Sequence, residues 1–249
     1  MSKPAVLLLH GGMHGGWCWR RVRPLLTGEG YEVHCPTLTG LGDRSHLGGA
    51  EIDLSAHICD VMNVIEAEEL EDFLLVGHSY AGMVISGVAD QLPSETLDLL
   101  YLDALVPESG QSASDIVSRG ADYTIFEDGM LPFIPGYDFG LTDPADIAWV
   151  RRRIGRQSVR TVTEPLDLAT DLSRFRRSYV ECVQQRDGQM QMEAIARVAA
   201  RVAADASWHC ERLEAPHDCM ISHPRETADA IIAAAERRTA ARGMALVAG

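Results

Sequence analysis

The stretch Leu74-Leu75-Val76-Gly77-His78-Ser79-Tyr80-Ala81-Gly82 decides how this chain is read. Leu74 to Val76 is an apolar run that suits a short buried strand. Gly77 breaks it, Ser79 takes the turn, and Ala81-Gly82-Met83-Val84-Ile85 restarts with residues compatible with a helix. A strand, a sharp turn with serine at its apex and a helix starting beneath it make a nucleophile elbow. Small residues flank the serine because the turn brings two backbones together, and here they are Gly77, Ala81 and Gly82. Ala81 stands where the G-x-S-x-G pattern has its second glycine. The competing reading is an ordinary strand-to-helix turn that happens to carry a serine, and the rest of the chain has to decide between them.

On the amino-terminal side, Ala5–Leu9 reads as a first buried strand that delivers His10-Gly11-Gly12-Met13-His14-Gly15-Gly16. Glycines in such a loop let backbone N–H groups approach a ligand unobstructed. No G-K-[ST] follows and the dinucleotide glycine spacing is missing, so a phosphate cradle is disfavoured. Trp17–Thr27 reads as a helix, Tyr31–Cys35 as a second strand, and Ser55–Glu69 as an amphipathic helix capped by Asp53 or Ser55. After the elbow, a helix to about Leu92 and a strand over Leu97–Leu102 continue the alternation. Alternating strands and helices predict a mostly parallel sheet with helices on both faces. Ligands collect at the carboxyl ends of such strands, where His10–Gly12, Ser79 and Asp103 all fall.

From Pro107 the pattern is broken repeatedly by proline and glycine, which predicts an inserted helical lid over 107–173. The α/β core is then 1–106 and 174–249. Eight arginines crowd Arg151 to Arg177 (151, 152, 153, 156, 160, 174, 176 and 177), either as a solvated face or as a lid edge attracting anionic substrates. Ser178–Val183 resumes the strands, Met190–Ala204 is a helix, and Trp208–Leu213 is the last strand. Ala215-Pro216-His217-Asp218 forms a loop before a helix from about Pro224 to Ala241, with Arg242–Gly249 read as a loose tail.

The 249 residues carry 46% hydrophobic and 23% charged side chains, ordinary for a folded domain, and a net charge of −14. That charge repels a phosphate backbone, so nucleic acid is an unsuitable partner. The apolar run after Met1 is too short for a signal core or a membrane span, and a cytoplasmic location is expected. Six cysteines (Cys18, Cys35, Cys59, Cys182, Cys210 and Cys219) lack C-x-x-C spacing and sit among apolar neighbours, as buried free thiols do.

A serine hydroxyl attacks only with a base placed to take its proton. Of nine histidines, His217 alone lies in a short loop directly after the last strand, on the sheet edge that carries Ser79. Asp103 closes the strong apolar run of the fourth strand, as a buried carboxylate aimed at an imidazole should. Asp187, beyond the strand over 178–183, is the other candidate acid.

Taken together, Leu7-Leu8-Leu9-His10-Gly11-Gly12-Met13-His14-Gly15-Gly16-Trp17-Cys18-Trp19 and Val76-Gly77-His78-Ser79-Tyr80-Ala81-Gly82-Met83 resemble the plant methyl-ester esterase and hydroxynitrile lyase branch of the α/β-hydrolase superfamily, with its bacterial esterase relatives. The resemblance covers roughly residues 5–107 and 175–241 and is weak in the lid. It implies an α/β-hydrolase fold with the histidine of the triad last in chain order, which favours His217. It also implies an acid after the strand containing Tyr179-Val180-Glu181-Cys182, but the matching position holds Gln185, and an amide cannot serve as that charge partner. Asp103 instead resembles the acid site of haloalkane dehalogenases.

The expected chemistry is ester hydrolysis on a small molecule through an acyl-enzyme on Ser79. His217 acts as general base, Asp103 orients it, and the backbone N–H groups of Gly12 and Tyr80 form the oxyanion hole. Neither metal nor cofactor is expected. Hydroxynitrile lyase chemistry is disfavoured, because the plant lyases carry threonine and lysine where this chain has Gly11 and Asp218. A cofactor-free lyase or cyclase using the same triad, and a non-catalytic small-molecule receptor on this fold, are the alternatives.

Overall fold

The computed structural model describes residues 3–118, 122–133, 137–184 and 190–248. Its strands are β1 (Ala5–Leu9), β2 (Val33–His34), β3 (Phe73–His78), β4 (Leu97–Leu102), β5 (Met130–Leu131), β6 (Gln157–Ser158), β7 (Arg177–Cys182) and β8 (Trp208–Leu213). Six of them form one sheet in the order β2-β1-β3-β4-β7-β8, every neighbouring pair parallel, while β5 and β6 make a small antiparallel pair within the insertion. This is the mostly parallel sheet that the alternation of strands and helices predicts, and the α/β-hydrolase fold that the sequence resemblance implies.

Alternate residues of the central strands feed two separate cores. Leu7, Leu9, Leu75, Leu99 and Tyr101 pack on one face with the helices Leu54–Ala67, Ala81–Asp90 and Met190–Ala203. Val6, Leu8, Leu74, Val76, Leu100 and Leu102 pack on the other with the segment from Gly16 to Gly28 and the helix Pro224–Ala248. Each buried leucine or valine contributes roughly 1.5–3 kcal/mol, so apolar side chains on both faces dictate a doubly covered sheet.

Register then sets the site. Leu9 pairs with Gly77 and His78 with Leu102, so residues 10–12, Ser79 and Asp103 leave the sheet at one edge. Leu213 pairs with Cys182 at the end of β7, and the loop carrying His217 emerges on that same edge.

Several boundaries differ from the sequence reading. The helix over 17–27 divides into a 3₁₀ turn, Gly16–Arg21, and a short helix, Arg23–Gly28, since Pro24 removes a backbone donor. The final helix runs on through Ala248; the tail was read as loose, but its alanines, methionine and leucine are strong helix formers. Asp53 caps the helix Leu54–Ala67 by accepting from Ala56 N–H at 2.9 Å. All six cysteines are free, but only Cys18, Cys182 and Cys219 are buried; Cys59 and Cys210 are exposed.

The insertion contains short helices, Ala113–Val117, Pro144–Arg151 and Arg160–Thr163, besides β5 and β6. Seven of the eight arginines between Arg151 and Arg177 are engaged within the protein. Arg151 pairs with Asp138, Arg156 with Asp128, Arg160 with Asp53 and Arg176 with Asp98. Arg153 and Arg174 donate to backbone carbonyls and Arg177 to Ser207. These partners speak against a lid edge that attracts anionic substrates and favour the solvated-face reading. Among the described residues no helix is long and apolar enough to cross a membrane.

Candidate active site

Ser79 sits at φ +56°, in the left-handed region that non-glycine residues rarely adopt. Three hydrogen bonds hold it there: Ser79 N–H donates to Leu102 C=O at 3.3 Å, and Ser79 C=O accepts from Gly82 N–H at 3.1 Å and Leu105 N–H at 3.0 Å. A Cβ on Gly82 would lie 1.8 Å from Leu105 O, so this position of the elbow requires glycine. Ala81 is fully buried without any such conflict, which explains why the motif tolerates alanine at its last position.

Ser79, His217 and Asp103 form one hydrogen-bonded chain, with exposures of 2%, 2% and 1%. His217 Nε2 lies 3.0 Å from Ser79 Oγ, and His217 Nδ1 lies 2.7 Å from Asp103 Oδ2. Since the carboxylate can only accept, Nδ1 carries the proton and Nε2 is left to take one from serine. Asp103 is itself at φ +44°. Its N–H donates to Val180 C=O at 2.7 Å, and its Oδ1 accepts from Cys182 N–H at 3.0 Å. The end of β7 thus supplies a donor that orients a carboxylate from β4. Asp187 and Gln185 lie outside the described residues.

Three neighbouring histidines frame the chain. His78 donates from Nε2 to the carbonyl of His217 at 2.9 Å, and the two rings lie 4.5 Å apart. Burial, reinforced by the nearby His217, pushes the His78 pKa well below its ordinary value. His10 accepts from Leu38 N–H at Nε2 (3.1 Å), so its Nδ1–H donates to Gly11 C=O at 2.8 Å. Burial lowers its pKa to about 3. His57 donates from Nε2 to Thr39 C=O and accepts from Tyr80 Oη at 3.0 Å.

The glycine loop lies against the serine: a Cβ on Gly11 would come within 2.9 Å of Ser79 Cβ, and one on Gly12 within 3.8 Å of Tyr80 Cβ. Because a trans peptide points its C=O and N–H in opposite directions, the His10 bond to Gly11 C=O turns Gly12 N–H the other way. Two glutamines that the sequence reading did not single out also reach the site. Gln191, in the first turn of Met190–Ala203, donates to Ser79 Oγ at 3.1 Å. Gln157, on β6 of the insertion, accepts from Met13 N–H at 2.8 Å. Neither belongs to a recognisable motif; only the folded chain brings them in. No group of three metal-ligating side chains occurs among the described residues.

A buried serine–histidine–carboxylate chain at the carboxyl edge of this sheet is the arrangement of a serine hydrolase. The chain matches the alpha/beta hydrolase family over residues 6–230 and belongs to it. It is 37% identical over 245 residues to a carbendazim hydrolyzing esterase of Nocardioides sp. strain SG-4G, covering 91% of this chain and 98% of that one. It is 34% identical over 122 residues to a pyrethroid hydrolase of Sphingobium wenxiniae, spanning 48% of this chain and 42% of the relative. Tomato methylketone synthase I superposes with a TM-score of 0.77 at 18% identity, over 96% of this chain and all of the other, which is agreement in fold. With this family and these relatives, the protein is an enzyme of the carboxylesterase type.

Proposed function

We propose that this enzyme hydrolyses a small-molecule carboxylic ester through an acyl-enzyme on Ser79. The observation that carries the reading is the continuous chain from Ser79 Oγ through His217 to Asp103, 3.0 and 2.7 Å long at its two links. His217 Nε2 takes the serine proton as Oγ attacks the carbonyl carbon, then returns it to the departing alkoxide. Asp103 keeps the imidazole in the required tautomer and stabilises the imidazolium. The N–H groups of Gly12 and Tyr80 receive the oxyanion, each worth on the order of 10² to 10³ in rate. Water activated by His217 then attacks the acyl carbon, and the C–O bond to Ser79 breaks to release the acid.

The segment 107–173 acts as the lid. Ser79 is 2% exposed, so substrate enters only when covering segments part, and the lid touches the glycine loop through Gln157. The near full-length relative named for carbendazim makes that compound the first substrate to try beyond simple esters. Arg151, Arg153, Arg156 and Arg160 of the insertion are bonded to groups of the protein itself, and they lend no support to a preference for anionic esters.

The test is steady-state hydrolysis of p-nitrophenyl acetate and carbendazim by wild type and Ser79→Ala. Wild-type turnover with a loss of at least about 10³-fold in Ser79→Ala is expected. Equal rates in the two proteins would refute the reading and favour a role that does not use the serine.

A further inference from the structure

Asp218 follows the base in sequence but faces away from the triad. Its Oδ2 lies 3.0 Å from His14 Nε2, and both side chains are buried, at 0% and 1% exposure. His14 turns its other nitrogen, Nδ1, to Gly12 C=O at 2.8 Å. Both partners are acceptors, so the ring holds a proton on each nitrogen. Burial opposes that charge, but the Asp218 carboxylate and the two hydrogen bonds outweigh it and raise the His14 pKa. Trp17 stacks on the ring at 5.2 Å and Phe139 meets it edge-on at 4.7 Å, which leaves it little room to turn.

The peptide that His14 holds is gripped at its other end as well. Gly12 C=O and Met13 N–H belong to one planar unit, and Met13 N–H donates to Gln157 Oε1 at 2.8 Å. Gln157 is 2% exposed and fixed in turn by donating to Thr161 Oγ1 at 2.7 Å. Met13 sits at φ +63°, a left-handed conformation that non-glycine residues rarely adopt and that surrounding contacts must offset. Gly12 has no side chain to fix its own orientation and would otherwise sample a wide range of φ and ψ.

Stability alone is a poor explanation for the pair. Burying an imidazolium and a carboxylate is costly unless every lone pair is matched, and Asp218 Oδ1 has no hydrogen-bond partner among the described residues. Apolar side chains would fill the space more favourably. What the pair does provide is direction at one peptide of the glycine loop.

We propose that His14, anchored by Asp218, and Gln157 are positioning residues that clamp the Gly12–Met13 peptide from its two ends; with His10 holding the preceding Gly11–Gly12 peptide, they fix Gly12 from its other side and keep its N–H facing the developing oxyanion. The proposal rests on the ester-hydrolysis reading above. His217 and Asp218 then divide the work of one loop, the first serving the nucleophile and the second the oxyanion hole.

Side-chain isosteres separate this from a merely structural role. Asparagine at position 14 places an amide N–H near the position of Nδ1, whereas glutamine places one near Nε2. His14→Gln keeps the link to Asp218 and loses the link to Gly12; His14→Asn does the reverse. With p-nitrophenyl acetate, His14→Gln is expected to lower kcat by about 10- to 100-fold with KM changed less than about 3-fold, the range for a weakened oxyanion donor. His14→Asn should recover most of that loss, and affinity for an alkyl trifluoromethyl ketone, which forms a tetrahedral adduct, should fall in step with kcat. Gln157→Ala tests the other jaw, with the same split between kcat and KM. The proposal is overturned if Gln157→Ala keeps wild-type kcat, or if folded His14→Asn and His14→Gln lose activity equally. Should circular dichroism show both His14 variants unfolded, Gln157→Ala alone decides. Ser79→Ala run alongside keeps the cases apart, since activity surviving in it would refute ester hydrolysis on Ser79 rather than the clamp.

Discussion

Two residues of this site occupy backbone conformations that L-amino acids avoid. Ser79 at φ +56° and Asp103 at φ +44° each cost on the order of 1–3 kcal/mol, and such strain persists only where surrounding structure over-determines it. Here the restraint is mutual, because Ser79 N–H bonds to the last residue of β4, Leu102, and Asp103 N–H bonds to Val180 of β7. The serine and the carboxylate are thus aimed by adjacent strands. Replacing Asp103 by asparagine puts an amide donor where the carboxylate accepted and favours the wrong imidazole tautomer. A loss in kcat on the order of 10²- to 10⁴-fold is expected for Asp103→Asn, and less than about 3-fold for Asp187→Asn. The reverse ranking in ester turnover would move the acid to Asp187.

Among the elements, those with a strong periodic or continuous apolar signal were legible from sequence. β1, β4 and β8 begin and end where the sequence reading places them, while β7 is displaced by one residue and β2 shrinks to Val33–His34. Asp98 is the one charged residue in the otherwise apolar β4. It accepts from the fully buried Arg238 of the last helix and from Arg176, at 2.6 and 2.8 Å, and a partner 140 residues away leaves no local trace. Gln157 and Gln191 were illegible for a similar reason: a glutamine on a short strand or at a helix start carries no chemical signature until another loop is folded against it. Ser79, His217 and Gly12 stand out as candidates because motif and chain order constrain them, and Asp103 because a charge closing a buried strand is conspicuous. The arginine cluster left two readings open from sequence alone, since the carboxylates that pair with it, Asp53, Asp98, Asp128 and Asp138, all lie before it in the chain.

Over the whole molecule, buried histidines tie stability to pH. Burial, the leading cause in each case, lowers the pKa of His10 to about 3, of His78 well below 6.5 and of His57 more modestly. The folded protein keeps them neutral while the unfolded chain protonates near 6.5, so their contribution is present above that pH and is lost as pH falls below it. Each such group contributes a slope of roughly 1.4 kcal/mol per pH unit. His14, with its raised pKa, acts in the opposite sense: its contribution is complete below 6.5 and fades as pH rises through its folded value. The urea midpoint is therefore expected to fall steeply between about pH 6.5 and pH 5. A midpoint constant over that interval would contradict the neutral state of the buried rings.

The whole account turns on Ser79 as the nucleophile. Reaction with diethyl p-nitrophenyl phosphate tests it most directly, because attack by Oγ forms an O–P bond, expels p-nitrophenolate and passes the serine proton to His217. Intact-mass measurement and peptide mapping are expected to find one diethylphosphoryl group, on Ser79, with one equivalent of p-nitrophenolate released and ester hydrolysis lost in the same proportion. Ester turnover that continues undiminished in protein fully phosphorylated at Ser79 would contradict the account.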